Sequence, residues 1–261
     1  MTNFFQRYGP AALVTGASSG IGAAFAEELA ARGLDLVLAA RRVDRLEDLA
    51  SRLAGDHGVT VSVLEADLAD PAAAAKLVKA AQDMDIGLVV SNAGFGAKGW
   101  FEAIDPAVMT DMLTVNCHSQ MQLAHGFIPR LKARGRGGLL LVSSVEGLMG
   151  GPFSTVYAAT KALVVALGEG LWGELQGTGV DILTLTPGAT ESEAAAKQGF
   201  DPSKMQNVQP ARECAVLALD NLANGPTFCP NAHYRALFDR MLSMPRKDAL
   251  VAMAQGMRPK N

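Results

Sequence analysis

Ala11-Ala12-Leu13-Val14-Thr15 runs directly into Gly16-Ala17-Ser18-Ser19-Gly20-Ile21-Gly22, and an Ala- and Glu-rich segment follows. A short apolar strand that turns through glycines into a helix is a phosphate-binding arrangement. The glycines let backbone approach a pyrophosphate, and the helix N-terminus supplies unpaired N–H groups at its positive dipole end. The spacing is G-x-x-x-G-x-G, slightly longer than the usual dinucleotide fingerprint, and its place between strand and helix at the start of the chain gives it weight.

Outward from this stretch, short apolar runs alternate with helical patterns. Strands are expected at Ala11–Thr15, Asp35–Ala40, Thr60–Glu65, Ile86–Ser91, Gly138–Ser143, Asp181–Thr186 and Thr227–Cys229, and helices at 20–32, 43–54, 71–82, 105–133, 154–177 and 210–224. This rhythm predicts an α/β fold, a doubly wound Rossmann-type parallel sheet of about seven strands flanked by helices. Leu139-Leu140-Leu141-Val142 has the unbroken apolar character of a strand buried on both faces. Asp70-Pro71 and Asp105-Pro106 each offer an N-cap followed by Pro at the first helical position. Pro129 should end or kink the helix over 105–133. Ligands of such sheets bind beyond the C-terminal ends of the strands, so the polar residues that follow each strand are the candidates for function.

The 261 residues are 49% apolar and 19% charged with no low-complexity tract or linker, so a single domain over 1–261 is expected. A net charge of −3, with basic residues grouped only at Arg41, Arg42 and Arg45 and near the C-terminus, argues against a nucleic-acid partner. Cys117, Cys214 and Cys229 lack Cys-x-x-Cys spacing, and the four histidines lack ligand spacing, so no metal site is expected. No signal-like segment opens the chain, and no run of about 18 uncharged apolar residues occurs, which reads as a cytoplasmic protein without a membrane span.

Ser143-Ser144, Tyr157 and Lys161 carry the chemical signal. On a helix, Tyr157 and Lys161 leave the same face about one turn apart. A phenol ionises near pH ~10 and a neighbouring ammonium favours the phenolate, so Lys161 is expected to draw Tyr157 toward neutral pH, where it would serve as general acid or base. Alone, the pair also matches a half-buried Tyr beside a snorkelling Lys.

The motif Thr15, Gly16, Gly20, Ile21 and Gly22, then Ser91-Asn92-Ala93-Gly94, then Ser144, Tyr157 and Lys161, occur together and in order. With them the chain resembles the short-chain dehydrogenase/reductase family over nearly its whole length. The resemblance implies a catalytic tetrad of Asn116, Ser144, Tyr157 and Lys161. It implies cofactor contacts from Gly16, Ser18, Ser19, Gly20, Ile21, Gly22, Asp67, Asn92, Ala93, Gly94, Tyr157, Lys161, Pro187, Gly188 and Thr190. The family's spacing of Ser to Tyr favours Ser144 over Ser143. Ser91 stands where the family usually has Asn, a departure confined to the first residue of that motif. By resemblance, NADPH delivers hydride to a ketone carbon while Tyr157 protonates the developing alkoxide and Ser144 hydrogen-bonds the same oxygen. Lys161 holds the nicotinamide ribose, and Asn116 supports a water-linked proton path; alcohol oxidation uses the same groups in reverse.

The second strand ends Ala39-Ala40 without an acidic residue for a ribose 2′-hydroxyl, and Arg41-Arg42 follow. Arg41, helped by Ser18, is therefore the expected 2′-phosphate ligand, favouring NADP(H) over NAD(H). Residues 190–209 are expected to form a lid that carries Ala194, Ala195, Ala196, Phe200, Met205 and Val208. With Phe95 and the Val145–Phe153 loop they suggest an apolar pocket for a small-molecule carbonyl or alcohol substrate. Ala162, Ala166, Gly170, Gly173 and Gly177 form a small-residue seam that faces either this protein's own sheet or a second subunit. The family resemblance favours the subunit, in a homodimer or homotetramer. The readings left open are an NADPH-dependent ketone reductase, an NAD(P)+-dependent alcohol, sterol or sugar dehydrogenase or 3-oxoacyl reductase, and a non-enzymatic NADP(H)-sensing regulator.

Overall fold

The computed structural model describes residues 4–193 and 206–258. Helix α1 (Phe4–Tyr8) precedes β1 (Ala11–Thr15), α2 (Gly20–Ala31), β2 (Asp35–Ala40), α3 (Val43–His57), β3 (Val61–Glu65), α4 (Ala73–Ala80) and β4 (Ile86–Ser91). The chain continues through α5 (Pro106–Leu113), a π-helical turn (Thr114–His118), α6 (Ser119–Arg134), β5 (Gly137–Val142), α7 (Thr155–Glu174) and β6 (Val180–Leu185). It then forms α8 (Ala211–Asp220), β7 (Thr227–Phe228), α9 (Ala232–Ser243) and α10 (Arg246–Met257). All the strands are parallel, in the order β3-β2-β1-β4-β5-β6-β7. The order reverses between β1 and β4, which opens a crevice at their C-terminal ends.

The unbroken apolar runs follow from burial on both faces. Leu13, Val37, Val89 and Leu139 pack toward Leu77, Leu123, Phe127 and Val164 of α4, α6 and α7. Their neighbours in sequence, Val14, Leu36, Leu88 and Leu140, pack toward Phe25, Leu29, Leu46 and Leu219 of α2, α3 and α8. Each such side chain contributes roughly 1.5–3 kcal/mol when fully buried. The strand ends fall within one residue of those expected.

The helices depart more. The segment over 105–133 is helical from Pro106 to Arg134, with the π turn set between α5 and α6. Pro129 does not end α6, which runs on to Arg134. Its last turns are held from outside, by Leu131 in the core and by Arg130 and Arg134 donating to the Met84 and Gly9 carbonyls at 2.5 and 2.6 Å. Asp105 caps α5 as expected, accepting from Ala107 N. Asp70 instead builds a turn ahead of α4, accepting from Ala72 N at 2.9 Å, so that Ala72 is the N-cap.

Helices α1, α9 and α10 were not anticipated. Asp181 on β6 holds α1, accepting from Arg7 Nε and Nη2 at 2.5 and 2.6 Å and from the Tyr8 hydroxyl at 2.6 Å. Asn231 caps α9 through His233 N and Tyr234 N, and α9 and α10 close a third cluster of Val145, Met149, Cys229, Phe238, Ala249 and Met253. No helix among the described residues is long and apolar enough to cross a membrane.

Helix α7 contacts the sheet at Gly168, where an added Cβ would strike the Thr184 hydroxyl of β6. Gly170 and Gly173 meet nothing within 4 Å, so the sheet is not what the seam faces there. Gly177 lies past the helix end in a turn with φ 78°. Gly168→Ala should therefore lower stability by about 1–3 kcal/mol through overpacking. Gly173→Ala should raise it by up to ~1 kcal/mol, because it only removes a helix-interior glycine. Urea unfolding of the two variants checks this pair, and equal effects would count against the packing described.

Candidate active site

The glycine loop is shaped by close approach. Gly16 and Gly20 have φ of 66° and 57°, in the left-handed region. A Cβ on Gly16 would lie 2.9 Å from Ala93 Cα and from Asn92 Nδ2, and one on Gly22 would strike the Gly16 carbonyl. The loops leaving β1 and β4 are joined at Thr15, whose hydroxyl accepts from Asn92 N at 3.0 Å and Ala93 N at 3.1 Å. Asn92 Nδ2 returns a bond to the Thr15 carbonyl at 2.9 Å. These contacts come from Asn92 and Ala93, one and two residues past the Ser91 departure. The N-cap of α2, Ser19, makes no side-chain cap, which leaves first-turn N–H groups for an outside anion.

The chemical residues gather at the ends of β4 and β5 and on α7. Ser143 Oγ donates to the Lys161 carbonyl at 2.7 Å and so ties β5 to α7. Ser144 instead lies beside Tyr157 and accepts from Glu146 N at 3.2 Å. Lys161 is buried, its Nζ donating to the Val142 carbonyl at 3.0 Å and lying 5.7 Å from the centre of the Tyr157 ring. Asn116 sits in the π turn, a distortion frequent at functional sites. Its Nδ2 donates to Phe95 O at 2.8 Å and Thr160 Oγ1 at 3.0 Å, while its Oδ1 accepts from Phe95 N at 3.0 Å. Gly94 passes against both: a Cβ there would lie 3.0 Å from Lys161 Nζ and 3.1 Å from Asn116 Oδ1.

Although Tyr157 is only half-buried by area, dense packing around its side chain pushes the phenol pKa up. The Glu146 carboxylate raises it further, and hydrogen bonding to Ser144 acts in the opposite direction. Burial lowers Lys161 to about 8, with Cys117 opposing. The expected lowering of Tyr157 by Lys161 is thus absent. The Lys161 Nζ is turned to the Val142 carbonyl, 5.7 Å from the ring centre, and burial dominates the phenol.

Around the cofactor end, Arg41 is exposed, and it is Arg42 that reaches the glycine loop. Its Nη2 donates to Ser18 Oγ at 3.0 Å and Ser19 Oγ at 2.8 Å, and its Nη1 pairs with Glu193 at 2.8 Å. Arg41, expected as the phosphate ligand because it comes first after the strand, stands exposed, and the turn into α3 points Arg42 back instead. Asp67 is exposed and accepts from Ala69 N at 3.1 Å, building the turn after β3. Ile21 packs on the core. After β6, the Pro187 carbonyl accepts from Val145 N at 3.1 Å, and Thr190 Oγ1 donates to Gly188 O at 3.1 Å. Gly188 lies directly under the Tyr234 ring, which would clash with any Cβ there. Tyr234, brought in by the unanticipated α9, and Glu146 are site residues that sequence reading missed. The expected lid residues Ala194, Ala195, Ala196, Phe200 and Met205 lie outside the described residues, whereas Val208 is described and half-buried. A cavity of about 320 Å³ lined by Phe5, Gln6, Gly9, Pro10 and Arg136 lies at the opposite ends of the strands, away from these groups.

The short chain dehydrogenase family matches residues 10–202, stopping short of α8 to α10. The chain is 37% identical over 188 residues to the 7beta-hydroxysteroid dehydrogenase of Clostridium sardiniense, 72% of each protein being covered. A structure solved in a study of 7beta-hydroxysteroid dehydrogenase stereoselectivity superposes with a TM-score of 0.89 at 26% identity, over 97% of this chain and 100% of that one. The short-chain dehydrogenase from Sphingobium yanoikuyae in complex with NADPH gives a TM-score of 0.83 at 33% identity, over 97% of each chain.

The buried amine has a measurable consequence. With a folded pKa of about 8 against an ordinary 10.5, Lys161 carries more protons in the unfolded chain between those two values. Stability should therefore rise with pH across that window, with the full cost present below it. Relative to Lys161→Met, the parent should gain up to ~3 kcal/mol from pH 8 to 10.5 in denaturant unfolding. A difference that stays flat with pH would remove the buried-amine reading.

Proposed function

Since the chain belongs to the short chain dehydrogenase family and is an oxidoreductase acting on CH–OH groups, we propose that it is an NADP(H)-dependent enzyme that reduces a ketone on a hydrophobic substrate to a secondary alcohol. The observation that carries this reading is the grouping of Lys161 and Asn116 against Gly94, with Tyr157 beside Lys161 and Ser144 beside Tyr157, at the strand ends near the glycine loop. The cradle of Gly16, Gly22 and Gly94, each of which a Cβ would fill, suits the close backbone approach of a dinucleotide. When bound, NADPH would supply the hydride.

In this reading Tyr157 gives its proton to the developing alkoxide. A phenol held protonated by its surroundings is suited to that donation. Ser144 Oγ donates to the same oxygen, placing a dipole where charge develops. Lys161 Nζ, fixed by the Val142 carbonyl, serves the nicotinamide ribose, and Asn116 holds the π turn beside it as the support of the proton path. Gly16, Ser18, Ser19, Gly20, Ile21 and Gly22 line the pyrophosphate and adenosine side, with Asn92, Ala93, Pro187, Gly188 and Thr190 flanking the nicotinamide and Asp67 at the adenine.

The preference for NADP(H) is supported by the apolar end of β2 and by the guanidinium that Ser18 and Ser19 hold over the loop. Arg42 is assigned the 2′-phosphate, with the exposed Arg41 beside it. The likeness to a hydroxysteroid dehydrogenase supports rigid ring ketones and ring alcohols as the first substrates to test, in both directions. We assign the whole of 1–261 to one domain. Homodimer or homotetramer formation through the open Gly170–Gly173 face of α7 completes the proposal.

Tyr157→Phe should lower turnover by at least ~10²-fold while leaving NADPH affinity within a few-fold. NADPH oxidation followed by absorbance against a ring-ketone panel checks this, and a variant that kept its rate would end the assignment. Arg42→Asp should weaken NADPH about tenfold or more relative to NADH, and Arg41→Asp should do so less. Equal losses for both cofactors by fluorescence titration would sink the phosphate role.

A further inference from the structure

A carboxylate of this chain lies against the guanidinium assigned to the cofactor's 2′-phosphate. Glu193 Oε2 accepts from Arg42 Nη1 at 2.8 Å, and its Oε1 pairs with Arg45 Nη1. Arg42 is the N-cap of α3 and Arg45 lies in its first turn, so one helix end holds both carboxylate oxygens. The side chains of Arg42, Glu193 and Arg45 are 32%, 36% and 47% exposed, and Ser18 and Arg45 line a cavity of about 220 Å³. A ligand can therefore reach this pairing from outside.

Glu191-Ser192-Glu193 passes over the glycine loop to make this contact. A Cβ added to Gly20 would lie 3.0 Å from Ser192 Cβ and 3.8 Å from the Glu191 carbonyl. Gly20 is the first residue of α2, the helix whose N-terminus is the proposed pyrophosphate seat, so the segment borders the cofactor's path. Behind it the chain is anchored. Glu191 N donates to Gln209 O at 3.0 Å, and Gln209 N donates to Ala189 O at 2.9 Å. Only the two residues past that anchor have to move for the carboxylate to leave the arginines.

The donors of Arg42 show why it would have to leave. A guanidinium carries five N–H groups. In Arg42, Nε donates to Ser18 Oγ at 3.2 Å, Nη2 to Ser18 Oγ at 3.0 Å and Ser19 Oγ at 2.8 Å, and Nη1 to Glu193. A single N–H is left over, whereas an arginine grips a phosphate through two parallel bonds. The serines can stay, since a hydroxyl that accepts from the guanidinium still has its own O–H to give a phosphate. The carboxylate has only acceptors to offer and would repel the phosphate at close range. A ribose with a free 2′-hydroxyl carries no such charge. We propose that Glu193 is an internal competitor for the 2′-phosphate, and hence a specificity-determining residue: it must yield Arg42 to NADPH but not to NADH. The preference for NADPH is thereby set lower than the arginines alone would give. The inference rests on the reading of Arg42 as the 2′-phosphate ligand.

The test is calorimetric titration of NADPH and NADH into the parent and Glu193→Gln proteins. NADPH should bind the variant about three- to tenfold more tightly, the scale of losing exposed ion pairs, with NADH changed by less than about twofold. Adenosine 2′,5′-bisphosphate set against AMP should show the same selective gain, which would trace it to the 2′-phosphate. In Arg42→Ala protein the gain from Glu193→Gln should shrink toward one. Weaker NADPH binding in Glu193→Gln would make the carboxylate a support for Arg42, and weaker NADH binding would make it a ligand of the ribose 2′-hydroxyl. Either result overturns the inference, as does a gain equal for both cofactors or one undiminished without Arg42. The reading beneath it fails separately, when Arg42→Asp costs NADPH and NADH alike. A selective Arg42→Asp with an indifferent Glu193→Gln overturns the inference alone.

Discussion

The Thr15 hydroxyl, by accepting from Asn92 N and Ala93 N, fixes how far apart the loops leaving β1 and β4 stand. Everything at the candidate site is measured from that distance. With the two loops joined, the Gly16 carbonyl lies against the first turn of α2, so position 22 has no room for a side chain. The β4 loop then runs on against Lys161 and Asn116, so position 94 has none either. The glycines are consequences of one bond pattern at the point where the sheet reverses its order. The glycine loop and the Tyr157–Lys161 pair come to share a crevice because neighbouring strands release their loops on the same side.

Helix α7 is set against β5 by a second constraint, the enclosure of Lys161. The Ser143 hydroxyl takes the Lys161 carbonyl, and Gly147 packs so closely on that carbonyl that a Cβ would lie 2.6 Å from it. The amine is left with the Val142 carbonyl as its anchor and with little water. Burial that lowers the charge on Lys161 also raises the phenol of Tyr157, because both groups lose solvation in their charged forms. At about 8 the amine is still mostly charged at neutral pH, while the phenol stays protonated.

Local chemistry determined what could be read from sequence. Strands β1, β2 and β4 were legible to the residue because a strand buried on both faces must be apolar throughout and must stop where the polar loop starts. The order of motifs identified Asn116, Ser144, Tyr157 and Lys161 as candidates, since each lies at a strand end or on the helix that follows. Properties set by tertiary direction were not legible. Sequence favours Arg41 because it comes first after the strand, yet the turn into α3 sends Arg42 to Ser18 and Ser19. Pro129 is expected to end or kink α6, and Leu131, Arg130 and Arg134 hold the helix past it. Helices α9 and α10 were missed because their apolar residues answer to a small third cluster and not to the sheet.

That third cluster stands apart from the two cores of the sheet. Strands β1, β4 and β5 with α7 carry the proposed site residues, whereas Val145, Leu148 and Met149 pack with helices α9 and α10, which lie beyond the span matched by the family. Met149, Met241, Met244, Met253 and Met257 are prominent there. Methionine fills irregular space with a flexible, unbranched side chain, so this cluster can be reshaped by substitution at low cost to the sheet. Glu146 and Phe153 differ in kind: one is ion-paired, the other held in a left-handed backbone, and both are pinned to the loop after β4.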